Sequence, residues 1–165
     1  NLVRKLNKKN VIELGCGLGH FTRKISDIGV NALGIDISET AIEKAKRNYP
    51  SVKFQVGDIL DFEIYRKHQP DIIIMAEITW CVLEKIDKFI HFLKSECPNI
   101  FLIHLLTTYP DGVQKYGRDK FSNLHEIMRY FGANYWEWGE ITYPEMEGCK
   151  RTYFLGNFEA GISKE

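Results

Sequence analysis

Apolar residues along this chain come in two rhythms. Short, largely apolar runs at 11–14, 32–37, 52–56, 71–76 and 100–106 read as strands. The run Ile72-Ile73-Ile74-Met75 is unbroken, as in a strand covered on both faces. Between these runs apolar residues recur every three or four positions. Phe21, Ile25 and Ile28 predict a helix over 21–28 that Gly29 closes. Ser38 can cap a helix that runs through Asn48, with Ile42, Ala45 and Tyr49 as its inner stripe and Pro50 beyond it. Ile86, Phe89, Ile90 and Leu93 mark another helix. Leu124, Ile127, Met128 and Phe131 mark the last one, stopped by Gly132. The link between the third and fourth strands reads as short, and it carries Phe62, Ile64 and Tyr65. Residues 1–10 are basic and polar and read as the end of a helix. The tail changes pattern: 135–143 and 152–158 read as two aromatic strands joined by the turn-rich stretch 144–148.

Strands alternating with helices, then a strand pair, predict an α/β protein. The expected architecture is a doubly wound, mostly parallel sheet of seven strands with an antiparallel C-terminal pair and helices on both faces. No repeat or linker interrupts it, so residues 1–165 are expected to form a single domain.

Composition narrows the function classes. Lys plus Arg and Asp plus Glu number 22 each, so no net positive charge speaks for a nucleic-acid surface. The aromatics Tyr135-Trp136-Glu137-Trp138 lack an accompanying basic cluster, so sheet packing is expected of them rather than base stacking. No apolar run approaches the roughly 20 residues that span a bilayer, and no signal peptide is read, so no membrane partner is expected. Cys16, Cys81, Cys97 and Cys149 form no C-x-x-C and have no histidine at ligand spacing. They read as reduced thiols of a cytoplasmic protein without a metal site.

The richest segment is Val11-Ile12-Glu13-Leu14-Gly15-Cys16-Gly17-Leu18-Gly19-His20-Phe21-Thr22. It predicts a buried strand, a glycine turn and a helix, which is how an open α/β sheet builds a nucleotide-type site at the carboxyl end of its first strand. The glycines follow G-x-G-x-G, not the G-x-G-x-x-G of dinucleotide sites, and His20 stands where a dinucleotide binder needs a small residue. Glu13, Asp36 and Asp58 each fall at the carboxyl end of one of the first three strands. Asp36 follows the loop at a distance suited to a carboxylate holding two ribose hydroxyls. Asp58 can accept from an adenine amino group, with Ile59 packed on the ring. The structural alternatives are a helix-capping acid for Asp36 and a turn aspartate for Asp58.

These segments, with Gly34-Ile35-Asp36, Gly57-Asp58-Ile59 and Pro70-Asp71-Ile72-Ile73-Ile74-Met75-Ala76-Glu77, resemble the class I S-adenosylmethionine-dependent methyltransferases over roughly residues 10–158. The resemblance implies a Rossmann-like methyltransferase fold with S-adenosyl-L-methionine as cofactor and S-adenosyl-L-homocysteine as product. It implies that Gly15, Cys16, Gly17 and Gly19 pass under the methionine part, while Glu13 orients the loop and the amino group. It puts Asp36, with Ile37 after it, at the ribose, and Gly57, Asp58 and Ile59 at the adenine. Ala76, Glu77 and Ile78 come beside the sulfonium. Family members usually carry N-terminal helices over the acceptor. Here ten residues precede the first strand, so those cap helices are short or missing, and a further segment or a partner is left to complete the acceptor pocket.

The expected reaction moves a methyl group to an oxygen or nitrogen of a small-molecule acceptor. The cofactor brings the activated methyl, and the protein mainly aligns the reactants. A base is needed only where the acceptor must lose a proton. Glu77 and His104 are the candidates, His104 because it interrupts the apolar strand at 100–106 near its carboxyl end. Trp80, Tyr109 and Tyr116 are expected to line the acceptor pocket. Two rival readings remain at this stage: an NAD-dependent oxidoreductase on the same architecture, and a non-catalytic methyltransferase-like partner subunit.

Overall fold

The computed structural model describes residues 2–110, 112–142, 145 and 147–160. The chain comprises two compact units, residues 1–76 and 77–165. Seven strands of a mixed sheet are divided between them, β3-β2-β1-β4 in the first and β5-β7-β6 in the second.

The first unit runs α1 (Leu2–Lys5), β1 (Asn10–Leu14), α2 (His20–Ser26), β2 (Asn31–Asp36), α3 (Glu39–Asn48), β3 (Lys53–Val56), α4 (Phe62–His68) and β4 (Ile72–Ala76). Its strand pairs are parallel, and the register sets Leu14 opposite Ile35 and Met75, and Asp36 opposite Val56. The residues that follow these strands therefore emerge at one rim. Ile72, Ile73, Ile74 and Met75 are all buried, as an unbroken apolar strand requires. Ser38 caps α3 by accepting the Ala41 N–H on its hydroxyl.

The stretch expected to be a short link is instead the helix α4. Seven helical residues are too few to display a 3.6-residue period, but the end signals are present. Glu63 lies in the first turn, Arg66, Lys67 and His68 in the last, which suits the helix dipole, and Gln69 leaves at φ +42°. Ile64 and Tyr65 face inward and are buried.

The second unit runs from a 3-10 turn at Thr79–Cys81 through α5 (Ile86–Glu96), β5 (Phe101–Thr108), α6 (Leu124–Phe131), β6 (Asn134–Thr142) and β7 (Lys150–Asn157). β7 pairs antiparallel with both β5 and β6. Asn123 caps α6 through the Glu126 N–H, and Gly132 ends it at φ +59°. The tail is the strand pair expected from its pattern; Tyr143 and Pro144 lie outside the described residues. The sheet packing expected of its aromatics is found in part. The register shifts between Tyr135 and Glu137, and Trp136 and Trp138 are 63% and 53% exposed. Trp136 meets Phe101 edge-on, and Tyr135 packs on Phe154.

Candidate functional site

In the first unit the glycine loop leaves β1 and turns directly into α2. Gly15, Gly17 and Gly19 have φ of +70°, +52° and +81°, a left-handed region that only glycine enters cheaply. Gly19 is also pressed on the Phe54 ring, where a Cβ would come within 2.5 Å of Cζ. Asp36, at the end of β2, holds this loop. Its Oδ2 accepts the Gly17 N–H at 2.8 Å and its Oδ1 the Ser38 N–H at 2.9 Å. Asp36 is thus a turn acid at the entrance to α3 as well as a loop anchor. A carboxylate offers about four lone-pair sites, so two such bonds leave capacity for two hydroxyls.

Glu13 is 4% exposed and accepts a hydrogen bond from the Thr22 hydroxyl. Burial pushes its carboxyl up to about 7; the Thr22 hydrogen bonds oppose this, and the nearby Asp36 charge adds to it. Cys16 is buried in a cluster with Ile42, Ala45, Val52 and Phe54. Burial first, then the charges of Glu13 and Asp36, raise its thiol to about 12, so it fills space as an uncharged group. His20 opens α2 and shares a 2.6 Å hydrogen bond with the Tyr49 hydroxyl.

After β3, Asp58 Oδ1 accepts the Leu60 N–H at 2.9 Å, closing a tight turn. Ile59 is buried, and its carbonyl accepts the Tyr65 hydroxyl at 2.9 Å. A Cβ on Gly57 would meet Ile64 at 2.3 Å. α4 therefore seats the Gly57–Ile59 turn through Ile64 and Tyr65, two positioning residues that sequence reasoning did not assign. Their place as an apolar pair between Glu63 and Arg66 was the available signal. Four large apolar side chains, Leu18, Phe21, Ile37 and Val56, are exposed in this unit, each in or beside a segment that follows a strand at the rim. Of these only Ile37 was anticipated. Apolar faces, backbone N–H groups and a carboxylate with spare acceptor capacity make a donor set that suits an adenosine bearing an amino acid.

In the second unit Glu77 has a left-handed backbone, φ +59°. Its carboxylate is clasped by Thr107: Oε2 accepts the Thr107 N–H and Oε1 the Thr107 hydroxyl, each at 2.9 Å. The Glu77 N–H in turn donates to the Leu105 carbonyl. His104 is fully buried, stacked on Phe154 at 4.9 Å and tilted against Phe131 at 4.8 Å. Nε2 lies 2.8 Å from the Thr79 hydroxyl, and burial pushes the ring down to about 3. This placement corrects the expectation of an acceptor-facing base: the ring is enclosed by aromatics and stays neutral.

Trp80, Tyr109 and Tyr116 line one cavity of about 350 Å³, together with Val113, Gln114 and Lys115. Glu77 and His104 are not among the lining residues. Trp80 is oriented by its indole N–H, which donates to the Thr107 carbonyl at 3.0 Å, and by Phe121 at 5.4 Å. No group of three or more metal-ligating side chains occurs among the described residues, and no helix there is long and apolar enough to cross a membrane.

Residues 11–95 match the model of a family described as a methyltransferase domain. Over 70 residues, 41% of this chain, the sequence is 39% identical to a protein of Invertebrate iridescent virus 6 whose name assigns it to the methyltransferases. Over 96 residues, 58% of the chain, it is 25% identical to a protein of Mycolicibacterium smegmatis named a probable S-adenosylmethionine-dependent methyltransferase. The matches span 26% and 35% of those proteins' own lengths. The fold resembles that of a SAM-dependent methyltransferase from Methanosarcina mazei, with a TM-score of 0.71 at 14% identity, covering 94% of this chain and 96% of the other. By the match over residues 11–95, the chain belongs to the methyltransferase-domain family.

Proposed function

We propose that this chain is an enzyme that moves a methyl group from S-adenosylmethionine to an oxygen or nitrogen of a small-molecule acceptor. The observation that carries the reading is the Asp36 carboxylate, tied to the glycine loop and still able to accept two hydroxyls. When bound, the cofactor supplies a methyl activated on a sulfonium. Asp36 holds the ribose, Gly57, Asp58 and buried Ile59 shape the adenine end, and exposed Ile37 offers it an apolar face. Gly15, Cys16, Gly17 and Gly19 keep the loop thin beneath the methionine portion, and Glu13 sets the loop's base. Ala76 and Ile78 flank Glu77 at the reactive end.

Trp80, Tyr109 and Tyr116 bind the acceptor. Of the two candidate bases, Glu77 is the one that is exposed, and its two bonds from Thr107 hold the carboxylate still while leaving it acceptor capacity. The reading places the protein in the cytoplasm, where its four cysteines stay reduced.

Isothermal titration with S-adenosylhomocysteine tests the cofactor half; micromolar-range binding is expected, and none at millimolar ligand overturns it. Release of labelled methyl from S-adenosylmethionine across acceptor classes tests the enzyme half. Intact cofactor binding without any turnover assigns the chain to the non-catalytic subunits instead. Glu77→Gln should lower kcat on an acceptor that must lose a proton while S-adenosylhomocysteine affinity stays within about twofold.

A further inference from the structure

The cavity of the second unit has a chemistry of its own. Its walls are aromatic and apolar: Trp80, with its ring edge anchored, and Tyr109, Val113 and Tyr116, which are 40%, 54% and 73% exposed. At about 350 Å³ it lies in the range of small-molecule sites. Among the described residues that line it, Lys115 is the one charged side chain. A cationic ligand would meet like charge there, whereas an anion would be favoured.

Gln114 supplies a second polar feature. Its amide N–H groups donate to the carbonyls of Tyr116 at 3.0 Å and Phe121 at 2.8 Å, which fixes which way the amide points, since the reverse orientation would set oxygen against two carbonyls. Its Oε1 is buried and has no partner among the described residues. A buried acceptor left unmet is costly, and a ligand N–H or O–H relieves it. The loop carrying these groups is bounded by Gly112 and Gly117, at φ +83° and +68°. Gly117 sits so close to Trp80 that a Cβ would come within 2.9 Å of the indole. The loop end is therefore seated on the aromatic wall.

We infer that this cavity takes a planar aromatic acid as methyl acceptor, its ring between the Trp80, Tyr109 and Tyr116 side chains, its anionic group on Lys115 and a hydroxyl or N–H group on Gln114 Oε1. This deepens the methyltransferase reading and rests on it for the word acceptor. The ligand class itself rests on the cavity.

The test is direct binding to the intact protein in the presence of S-adenosylhomocysteine, read by ligand-observed NMR and titration. The probes are 6-hydroxy-2-naphthoate, the cationic 2-naphthylmethylamine and the non-planar cyclohexanecarboxylate. The hydroxynaphthoate should bind at least tenfold tighter than either of the others. Lys115→Gln and Tyr116→Ala, both at exposed positions, should each weaken it at least fivefold without changing S-adenosylhomocysteine affinity. Equal binding of the three probes, or variants without effect, overturns the inference. The two readings fail separately: loss of S-adenosylhomocysteine binding with retained naphthoate selectivity removes the enzyme reading and leaves the ligand class standing.

Discussion

Asp36 Oδ2 accepts the backbone N–H of Gly17 at 2.8 Å, so the acid that ends β2 holds the glycine loop that follows β1. One carboxylate thus fixes the shape of the loop and, in the proposed function, holds the sugar of the cofactor. Removing it should loosen both. Asp36→Ala is expected to weaken S-adenosylhomocysteine binding by about 1–3 kcal/mol, the scale of hydrogen bonds made by a charged group. Calorimetric titration measures this, and an unchanged affinity would remove Asp36 from the site.

Two loop glycines separate backbone strain from packing. Gly17 and Gly19 both have positive φ, but a Cβ on Gly17 meets nothing within 4 Å, while one on Gly19 enters the Phe54 ring at 2.5 Å. Gly17→Ala should cost about 1–2 kcal/mol of stability. Gly19→Ala adds overpacking of a core aromatic and should cost about 2–4 kcal/mol in all. Equal losses in urea denaturation would refute the Phe54 contact as the cause.

Glu13 makes stability fall as pH rises from 4.5 toward neutrality. Below pH 4.5 both folded and unfolded states hold the proton. Between 4.5 and about 7 the unfolded chain releases it while the buried carboxyl keeps it, so the folded state loses up to about 3 kcal/mol across that window. Glu13→Gln removes this slope. Measured by denaturant unfolding, the change in stability from about pH 5 to about pH 8 should be more favourable in the variant than in the parent, by up to about that amount.

His104 acts in the opposite sense. Its ring refuses a proton down to about pH 3, whereas the unfolded chain takes one near 6.5, so the stability it confers is lost as pH falls through that interval, by about 5 kcal/mol at its end. Between 4.5 and 6.5 the Glu13 and His104 slopes partly cancel. The double change His104→Leu with Thr79→Val removes both partners of the buried hydrogen bond and should flatten the acid limb. An acid limb as steep as the parent's would show that other groups produce it.

Much of the fold was legible along the chain, and the reason differs by element. β4 announced itself because a strand buried on both faces is apolar at every position, and α3 and α6 because their caps stand at the ends of a clear helical stripe. α4 was hidden because two turns carry too little periodicity. Trp136 and Trp138 share one face of β6, and their exposure was hidden because it depends on what packs over that face, which the strand's own alternation does not reveal.

The site divides along the same line. The chain by itself determined the glycine loop, Asp36 and Asp58, since a strand's end, a forced left-handed turn and the acid after it are neighbours in sequence. Only tertiary structure decided that His104 is enclosed between Phe131 and Phe154, that Thr107 clasps Glu77, and that Gln114 and Lys115 join Trp80, Tyr109 and Tyr116 around one cavity. Burial and convergence are set by residues distant along the chain, and no local pattern of hydrophobic and polar positions encodes which of them meet.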